Sequence, residues 1–204
     1  MRRIGLLGGT FNPPHVGHLK LAEIALRTLA LDEVRFIPAA TPPHKPAPAG
    51  ADPATRLRLL ELALAGTGLP FRVEPLELER GGVSYTVDTL EALSAREPDQ
   101  AWIFLMGTDQ LAGFGAWRRP ERILALAALA VTARPGFAPQ PLTGLLAGRE
   151  KPHWSGAPGE LLWLPGTDLD VASTGLRGEL GRGNVPDGIP PQVLTVILRE
   201  NQYR

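Results

Sequence analysis

The residues with most chemistry to offer lie in one run near the start of the chain, Gly8-Gly9-Thr10-Phe11-Asn12-Pro13-Pro14-His15-Val16-Gly17-His18. A glycine pair between a strand and a helix lets backbone N–H groups close on a phosphate. Two histidines at i and i+3 leave a helix entrance on the same side, where imidazole N–H groups can hold phosphate oxygens as charge develops. Metal binding is the other use of such a pair, but no third ligand stands at a plausible spacing. The run is not a G-x-G-x-x-G or a G-K-[ST] fingerprint. It reads as a site for the phosphate of a nucleotide.

A second segment suits an anion. Ser173 and Thr174 can cap a helix, and Arg177 lies one turn on, where a guanidinium can meet phosphate bidentately. The same spacing is also that of an ordinary helix start. Pro42-Pro43-His44-Lys45 reads alone as a rigid loop carrying a solvated lysine. Tyr85-Thr86 opens a helix with Thr86 as its cap, and a helix N-terminus suits a carboxylate. Trp117, in a loop-like stretch, reads alone as core packing, Asp109 as a helix cap and Arg134 as a surface charge. His153 and Trp154 are given no role.

The elements that position these residues alternate strand and helix. Apolar runs predict strands over residues 4–7, 34–37, 71–74, 101–106, 129–133 and 161–164, with an extended piece at 76–78. Helices are predicted over 16–29, 53–65, 86–96, 120–126, 176–180 and 192–199. In the first, Leu19, Ala22, Leu26 and Leu29 share one face and Lys20, Glu23 and Arg27 another. Asp52 is a predicted N-cap with Pro53 at the first helical position. Residues 39–51 and 134–160 read as loops. This order predicts an α/β fold, a Rossmann-like parallel sheet with helices on both faces and a small C-terminal helical part. Ligands in such sheets bind beyond the carboxyl ends of strands, where strand order switches. The turns at Gly8 and Gly107 both lie at such ends.

Composition narrows the setting. The 204 residues suit a single domain over 1–204, and 44% apolar content supports a sizeable core. Lys+Arg and Asp+Glu number 21 each, so no global field draws in nucleic acid or an anionic membrane. There is no cysteine, which excludes disulfides, thiolate metal sites and a cysteine nucleophile. The longest apolar run, residues 123–131, falls well short of the about 20 a membrane span needs. The first apolar run breaks at Gly8-Gly9, too early for a signal peptide. The chain reads as a soluble cytoplasmic protein.

The run at 8–18 resembles the signature of the His-x-Gly-His nucleotidyltransferase superfamily. Four further segments make the chain similar to the bacterial nicotinate-mononucleotide adenylyltransferases: Pro42-Pro43-His44-Lys45, Ser84-Tyr85-Thr86-Val87-Asp88-Thr89-Leu90, Gly107-Thr108-Asp109 and Val171-Ala172-Ser173-Thr174-Gly175-Leu176-Arg177. They fall in the family's order and at about its spacing, so the resemblance spans nearly the whole chain. It implies the nucleotidyltransferase fold and transfer of the adenylyl group of ATP to nicotinate mononucleotide, giving nicotinate adenine dinucleotide and pyrophosphate in NAD biosynthesis.

The resemblance also implies roles. His15, His18 and Arg177 would be catalytic. Gly8, Gly9, Thr10, Phe11, His15, His18, Gly107, Asp109, Ser173, Thr174 and Arg177 would bind ATP, with Asp109 near the ribose. Lys45, Tyr85, Thr86, Trp117 and Arg134 would bind nicotinate mononucleotide, with Trp117 stacked on the pyridine ring. Mg²⁺ would be held mainly through ATP phosphates, with no metal site of the protein's own. Nucleic acid and membrane are not expected partners, and a homo-oligomer is compatible with the pattern. The chain departs from the family at Asn12, where aspartate is frequent, and at Pro14, Ala172 and Val196. Phosphopantetheine adenylyltransferases share His-x-Gly-His and Ser-Thr-x-x-Arg but are typically shorter and lack the patterns at 42–45 and 84–90. The Arg-Thr-x-Gly-Ile-Ser segment usual in cytidylyltransferases is absent. Retention of both histidines and Arg177 argues against a non-catalytic nucleotide sensor on the same fold.

Overall fold

The computed structural model describes residues 1–43, 50–133, 136, 140–166 and 171–203. Six strands form one parallel sheet: β1 (Arg2–Gly9), β2 (Glu33–Pro38), β3 (Phe71–Val73), β4 (Gln100–Gly107), β5 (Ala128–Thr132) and β6 (Leu161–Leu164). Their spatial order is β3-β2-β1-β4-β5-β6. The order reverses between β1 and β4, which makes that gap the switch point where ligands bind in such sheets.

Eight helices accompany the strands among the described residues: α1 (Val16–Thr28), α2 (Pro53–Ala65), α3 (Leu76–Arg80), α4 (Thr86–Arg96), α5 (Thr108–Leu111), α6 (Pro120–Leu126), α7 (Ser173–Gly181) and α8 (Pro191–Arg199). Side chains alternate across the pleat, so each central strand feeds two cores. On one face Ile4, Leu6, Phe104 and Met106 pack with Leu90 and Leu93 of α4 and Ile123 of α6. On the other Leu7, Ile103 and Leu105 pack with Ala22 and Ala25 of α1 and Leu60 and Leu64 of α2. A third cluster joins α2 to α7 and α8 through Leu59, Ala63, Leu176, Leu180, Val193 and Ile197. None of the described helices is long and apolar enough to cross a membrane.

The predicted order of elements holds, with local corrections. Residues 76–78, expected as extended, lie in α3, where Glu77 is buried. The helix expected at 176–180 begins at Ser173 behind Ala172 as N-cap, so Ser173 and Thr174 occupy its first turn rather than its cap. Tyr85, not Thr86, is the N-cap of α4. Asp52 caps α2 as expected, its Oδ1 accepting from the amides of Ala54 at 2.9 Å and Thr55 at 3.1 Å, with Pro53 in the first turn.

The register decides where the sheet opens. β1 pairs with β4 only as far as Leu6 opposite Phe104. Beyond that point Leu7, Gly8 and Gly9 continue against β2 alone, while Leu105, Met106 and Gly107 continue against β5 alone. Two strand ends thus part and leave a crevice between them.

On β2, Arg35 is almost fully buried and clamps Glu97 behind α4 bidentately, Nη1 to Oε1 at 2.6 Å and Nη2 to Oε2 at 2.8 Å. Its Nε also donates to Glu33 at 2.7 Å. The Arg35 hydrogen bonds hold the Glu97 carboxyl down at about 2, against its usual 4.5. A carboxylate whose folded pKa is depressed stabilises the fold fully above its unfolded value and loses that contribution as pH falls through the folded one. Urea midpoints measured between about pH 6 and pH 2 should therefore fall steeply below about pH 4.5, and Glu97→Gln should lower the upper end and flatten the decline. An unchanged slope in the variant would remove this pair from the acid response.

Candidate active site

The chain leaves β1 through Gly9 into a turn with little room. A Cβ on Gly9 would stand 3.1 Å from the Phe11 ring. Phe11 itself has φ +48, in the left-handed region that a bulky residue rarely enters. Such a conformation costs on the order of 1–3 kcal/mol. Burial of its ring, 1% exposed, offsets about as much. The ring packs at 5.7 Å from Phe36 and meets His18 edge-on at 4.9 Å. The turn is therefore pinned from below by its own side chain.

The two histidines stack, ring centroids 3.6 Å apart and 28° from parallel. His15 is the N-cap of α1 and is buried. The Nδ1 of His18 accepts from the His15 amide at 3.2 Å. A neutral imidazole that accepts at Nδ1 carries its proton on Nε2, so the cap sets His18 to present an N–H donor. Gly17 leaves room for the same packing, since a Cβ there would lie 3.0 Å from His15 Nδ1. The Val16 amide is taken by the carbonyl of Gly188 at 2.8 Å, which docks the C-terminal part of the chain on the start of α1.

The N-terminus of α7 closes on the same turn. Ser173 Oγ donates to the carbonyl of Pro13 at 3.0 Å. Arg177 Nη1 donates to the carbonyl of Asn12 at 2.7 Å, and Nη2 to Thr174 Oγ1 at 3.3 Å. These contacts join segments some 160 residues apart. They place the first-turn amides of α7, which a helix leaves without internal acceptors, beside the histidines. Asn12 is itself buried, its Oδ1 accepting from the Ala51 amide at 3.3 Å. In this protein the side chain at position 12 braces the loop before α2.

The opposite wall is built from β4 and the short helix after it. Gly107 ends the strand and caps α5, placing Thr108 and Asp109 in that helix's first turn. Asp109 thus enters the wall from the second position of α5 rather than as a cap. Phe104 lies beneath both walls: a Cβ on Gly8 would stand 3.3 Å from its ring, and Trp117 meets it edge-on at 5.9 Å. Trp117 is half-buried and packs on the core, with Phe114 tilted against it at 5.5 Å. The half-buried pair Tyr85 and Thr86 stands at the start of α4, and the Arg118 guanidinium lies 4.6 Å over the Tyr85 ring.

The structure thus gathers Gly8, Gly9, Thr10, Phe11, His15, His18, Ser173, Thr174 and Arg177 on one side, and Gly107 and Asp109 on the other, with Trp117 packed on Phe104 beneath them. Lys45, His44 and Arg134 lie outside the described residues. Trp154 is structural: it is buried, donates from Nε1 to the Ala157 carbonyl at 3.1 Å, and carries the Arg3 guanidinium over its ring. His153 is exposed. Among the described residues no three His, Cys, Asp or Glu side chains gather as a metal site.

Two residues near the site carried no motif. Glu77 is buried, accepts from Thr89 Oγ1 at 2.6 Å, and has its carboxyl pushed up by burial. It also bonds Ser84, whose Oγ accepts from the Ala40 amide at 2.9 Å. This chain of contacts ties the segment before Tyr85 to the end of β2. Arg56 lies under the glycine turn, donating to the Thr10 carbonyl at 2.8 Å. Its position at i−3 and i−4 from Leu59 and Leu60 places it in the apolar stripe of α2. A charge in an apolar stripe is the signal that would have found it.

The model of the cytidylyltransferase-like family matches residues 6–177. A Bordetella petrii protein named "Probable nicotinate-nucleotide adenylyltransferase" is 43% identical over 208 residues, spanning 100% of both chains. A Hydrogenovibrio crunogenus protein of the same name is 40% identical over 205 residues, 98% of this chain and 97% of that one. The solved structure of Plasmodium falciparum nicotinic acid mononucleotide adenylyltransferase complexed with NaAD matches with a TM-score of 0.78 over 100% of this chain and 98% of that chain, at 17% identity, a likeness of fold.

The clearance at Gly17 yields a test that separates packing of the histidines from stability. Alanine favours a helix by about 1 kcal/mol over glycine, so Gly17→Ala should melt at or near the wild-type temperature. Displacement of the His15 ring should nonetheless lower turnover by about tenfold or more. Full turnover in the variant would show that the stacked geometry is not needed.

Proposed function

The chain belongs to the cytidylyltransferase-like family and, within it, to the nicotinate-nucleotide adenylyltransferases, and from that premise we propose that it transfers the adenylyl group of ATP to nicotinate mononucleotide in the synthesis of NAD. A phosphate oxygen of the mononucleotide attacks the α-phosphorus of ATP. The bond to the bridging oxygen of the β-phosphate breaks, and pyrophosphate leaves. The nucleophile is already mostly dianionic at neutral pH, its second pKa being about 6, so no general base is required. The work left to the protein is in-line placement and stabilisation of charge.

The observation that carries this reading is the convergence of two stacked imidazoles and the start of α7 on the crevice where β1 and β4 part. His18 Nε2 donates to the phosphate chain and His15 supports it from the buried side. Amides of Gly9, Thr10 and Phe11 assist. Ser173, Thr174 and Arg177 hold the outer phosphates and neutralise the leaving pyrophosphate. Gly107 and Asp109 face the adenosine. Tyr85 and Thr86 receive the nicotinate carboxylate at the N-terminus of α4, Trp117 stacks on the ring, and Lys45 and Arg134 meet the mononucleotide phosphate. Mg²⁺ bound to ATP would offset charge on the departing pyrophosphate. A cytoplasmic location, where ATP is made available, fits this chemistry.

Pyrophosphate release from Mg-ATP tests the reading, with nicotinate mononucleotide, nicotinamide mononucleotide and phosphopantetheine offered in parallel. Turnover mainly with the first is expected, and turnover only with phosphopantetheine would overturn the assignment. His18→Ala should lower kcat on the order of 10²–10³-fold, the loss seen when one preorganised donor is removed. Trp117→Ala should raise KM for the mononucleotide and leave ATP binding nearly intact, whereas equal losses for both would mark Trp117 as a folding residue.

A further inference from the structure

Arg56 is 1% exposed, yet no carboxylate bonds it among the described residues. Its partners are backbone carbonyls from two strand ends. Nη1 donates to Thr10 O at 2.8 Å, just past β1, and Nη2 to Ala39 O at 2.8 Å, just past β2, with Ala40 O at 3.5 Å. Nε has no protein partner among the described residues. A buried cation with no carboxylate in hydrogen-bond contact is costly to keep, and its desolvation outweighs the field of nearby Asp52 and lowers the guanidinium pKa. A methionine or leucine would continue the apolar stripe of α2 without that penalty. The arginine therefore does something an apolar residue in its place would not.

The two carbonyls show what. Across a trans peptide the carbonyl and the next amide point in opposite directions, so drawing Thr10 O toward Arg56 turns the Phe11 N–H away from it, toward the crevice. The left-handed φ of Phe11 makes that peptide the one most in need of an outside hold. On the other side, Ala39 and Ala40 lead to the loop before α2 and, through Ser84 Oγ on the Ala40 amide, to the segment that opens α4. One planar fork thus spans the turn proposed to receive ATP and the segment proposed to receive the mononucleotide. The Asp52 cap fixes the first turn of α2 and so the start of this fork.

We propose that Arg56 is a positioning residue that sets the two substrate segments relative to each other, and that its effect falls on turnover rather than on the binding of either substrate. The proposal rests on the adenylyl-transfer reading above. Two groups held separately but misaligned still bind their ligands, while an in-line displacement between them slows.

The test compares wild type with Arg56→Ala and Arg56→Lys, both checked for folding by circular dichroism and melting. Arg56→Lys keeps the charge but cannot span two carbonyls as a fork does, and it stands in should the alanine variant not fold. In a folded variant kcat should fall on the order of 10²-fold, with KM for ATP and for nicotinate mononucleotide each within about threefold of wild type. Guanidinium chloride at about 20 mM, far below denaturing concentrations, should restore part of the turnover of Arg56→Ala, and urea at equal concentration should not. Amide exchange at residues 9–12 and 39–41 should quicken together in Arg56→Lys. Wild-type kcat retained in a folded variant, or a loss confined to one KM, overturns the proposal, as does unchanged exchange in both segments. If wild type itself releases no pyrophosphate with nicotinate mononucleotide, the substrate reading fails, and the exchange experiment still decides whether Arg56 holds the two strand ends.

Discussion

The site depends on the parting of two parallel strands. A strand inside a sheet has its backbone donors and acceptors used on both sides, and so has none to give a ligand. β1 and β4 keep that condition up to Leu6 and Phe104 and then abandon it, each continuing with its outer neighbour only. Between them lies backbone freed from the ladder, opened by Gly8 and Gly9 on one side and Gly107 on the other. The turn that leads into α1 starts from one rim of this gap, and α5 starts from the other.

Those elements are held by hydrogen bonds to main-chain carbonyls rather than by ion pairs. Ser173 and Arg177 take the carbonyls of Pro13 and Asn12, Arg56 takes those of Thr10 and Ala39, and Gly188 takes the Val16 amide. A carbonyl accepts without neutralising its donor. Arg56 and Arg177 therefore act as braces without a bonded carboxylate, in a chain whose formal charges, these two included, number 21 of each sign. The carboxylate-rich pairing lies elsewhere, around Arg35, where Glu33, Glu74 and Glu97 surround one guanidinium. The protein thus separates two uses of buried arginine, one fully paired for stability and one left electropositive beside an anion site.

The chemistry suits such a scaffold. A phosphate nucleophile needs no deprotonation, so no residue has to be tuned as a base, and rate depends on where two phosphates are placed. The cap that fixes the His18 tautomer, the ring of Phe11 beneath the turn and the core residue Phe104 beneath both Gly8 and Trp117 all serve placement. None of them has to change state during the reaction.

The strand–helix order, the parallel sheet and the motifs at 8–18 and 173–177 are legible in the amino-acid order alone, because periodicity, glycine turns and capping patterns are local. The same locality explains the errors: Leu76 and Leu78 alternate with glutamates, a pattern that suits an extended segment, whereas in the fold residues 76–80 are helical with Glu77 buried against Thr89 and Ser84. It takes the assembled fold to establish that β1 and β4 part after Leu6 and Phe104, that Arg177 reaches Asn12, and that Arg56 bridges two strand ends. These are contacts between segments from 46 to 165 positions apart in the Thr10–Arg56 and Asn12–Arg177 pairs. No local preference encodes them, because their partners are backbone carbonyls, which every residue has and no sequence pattern distinguishes.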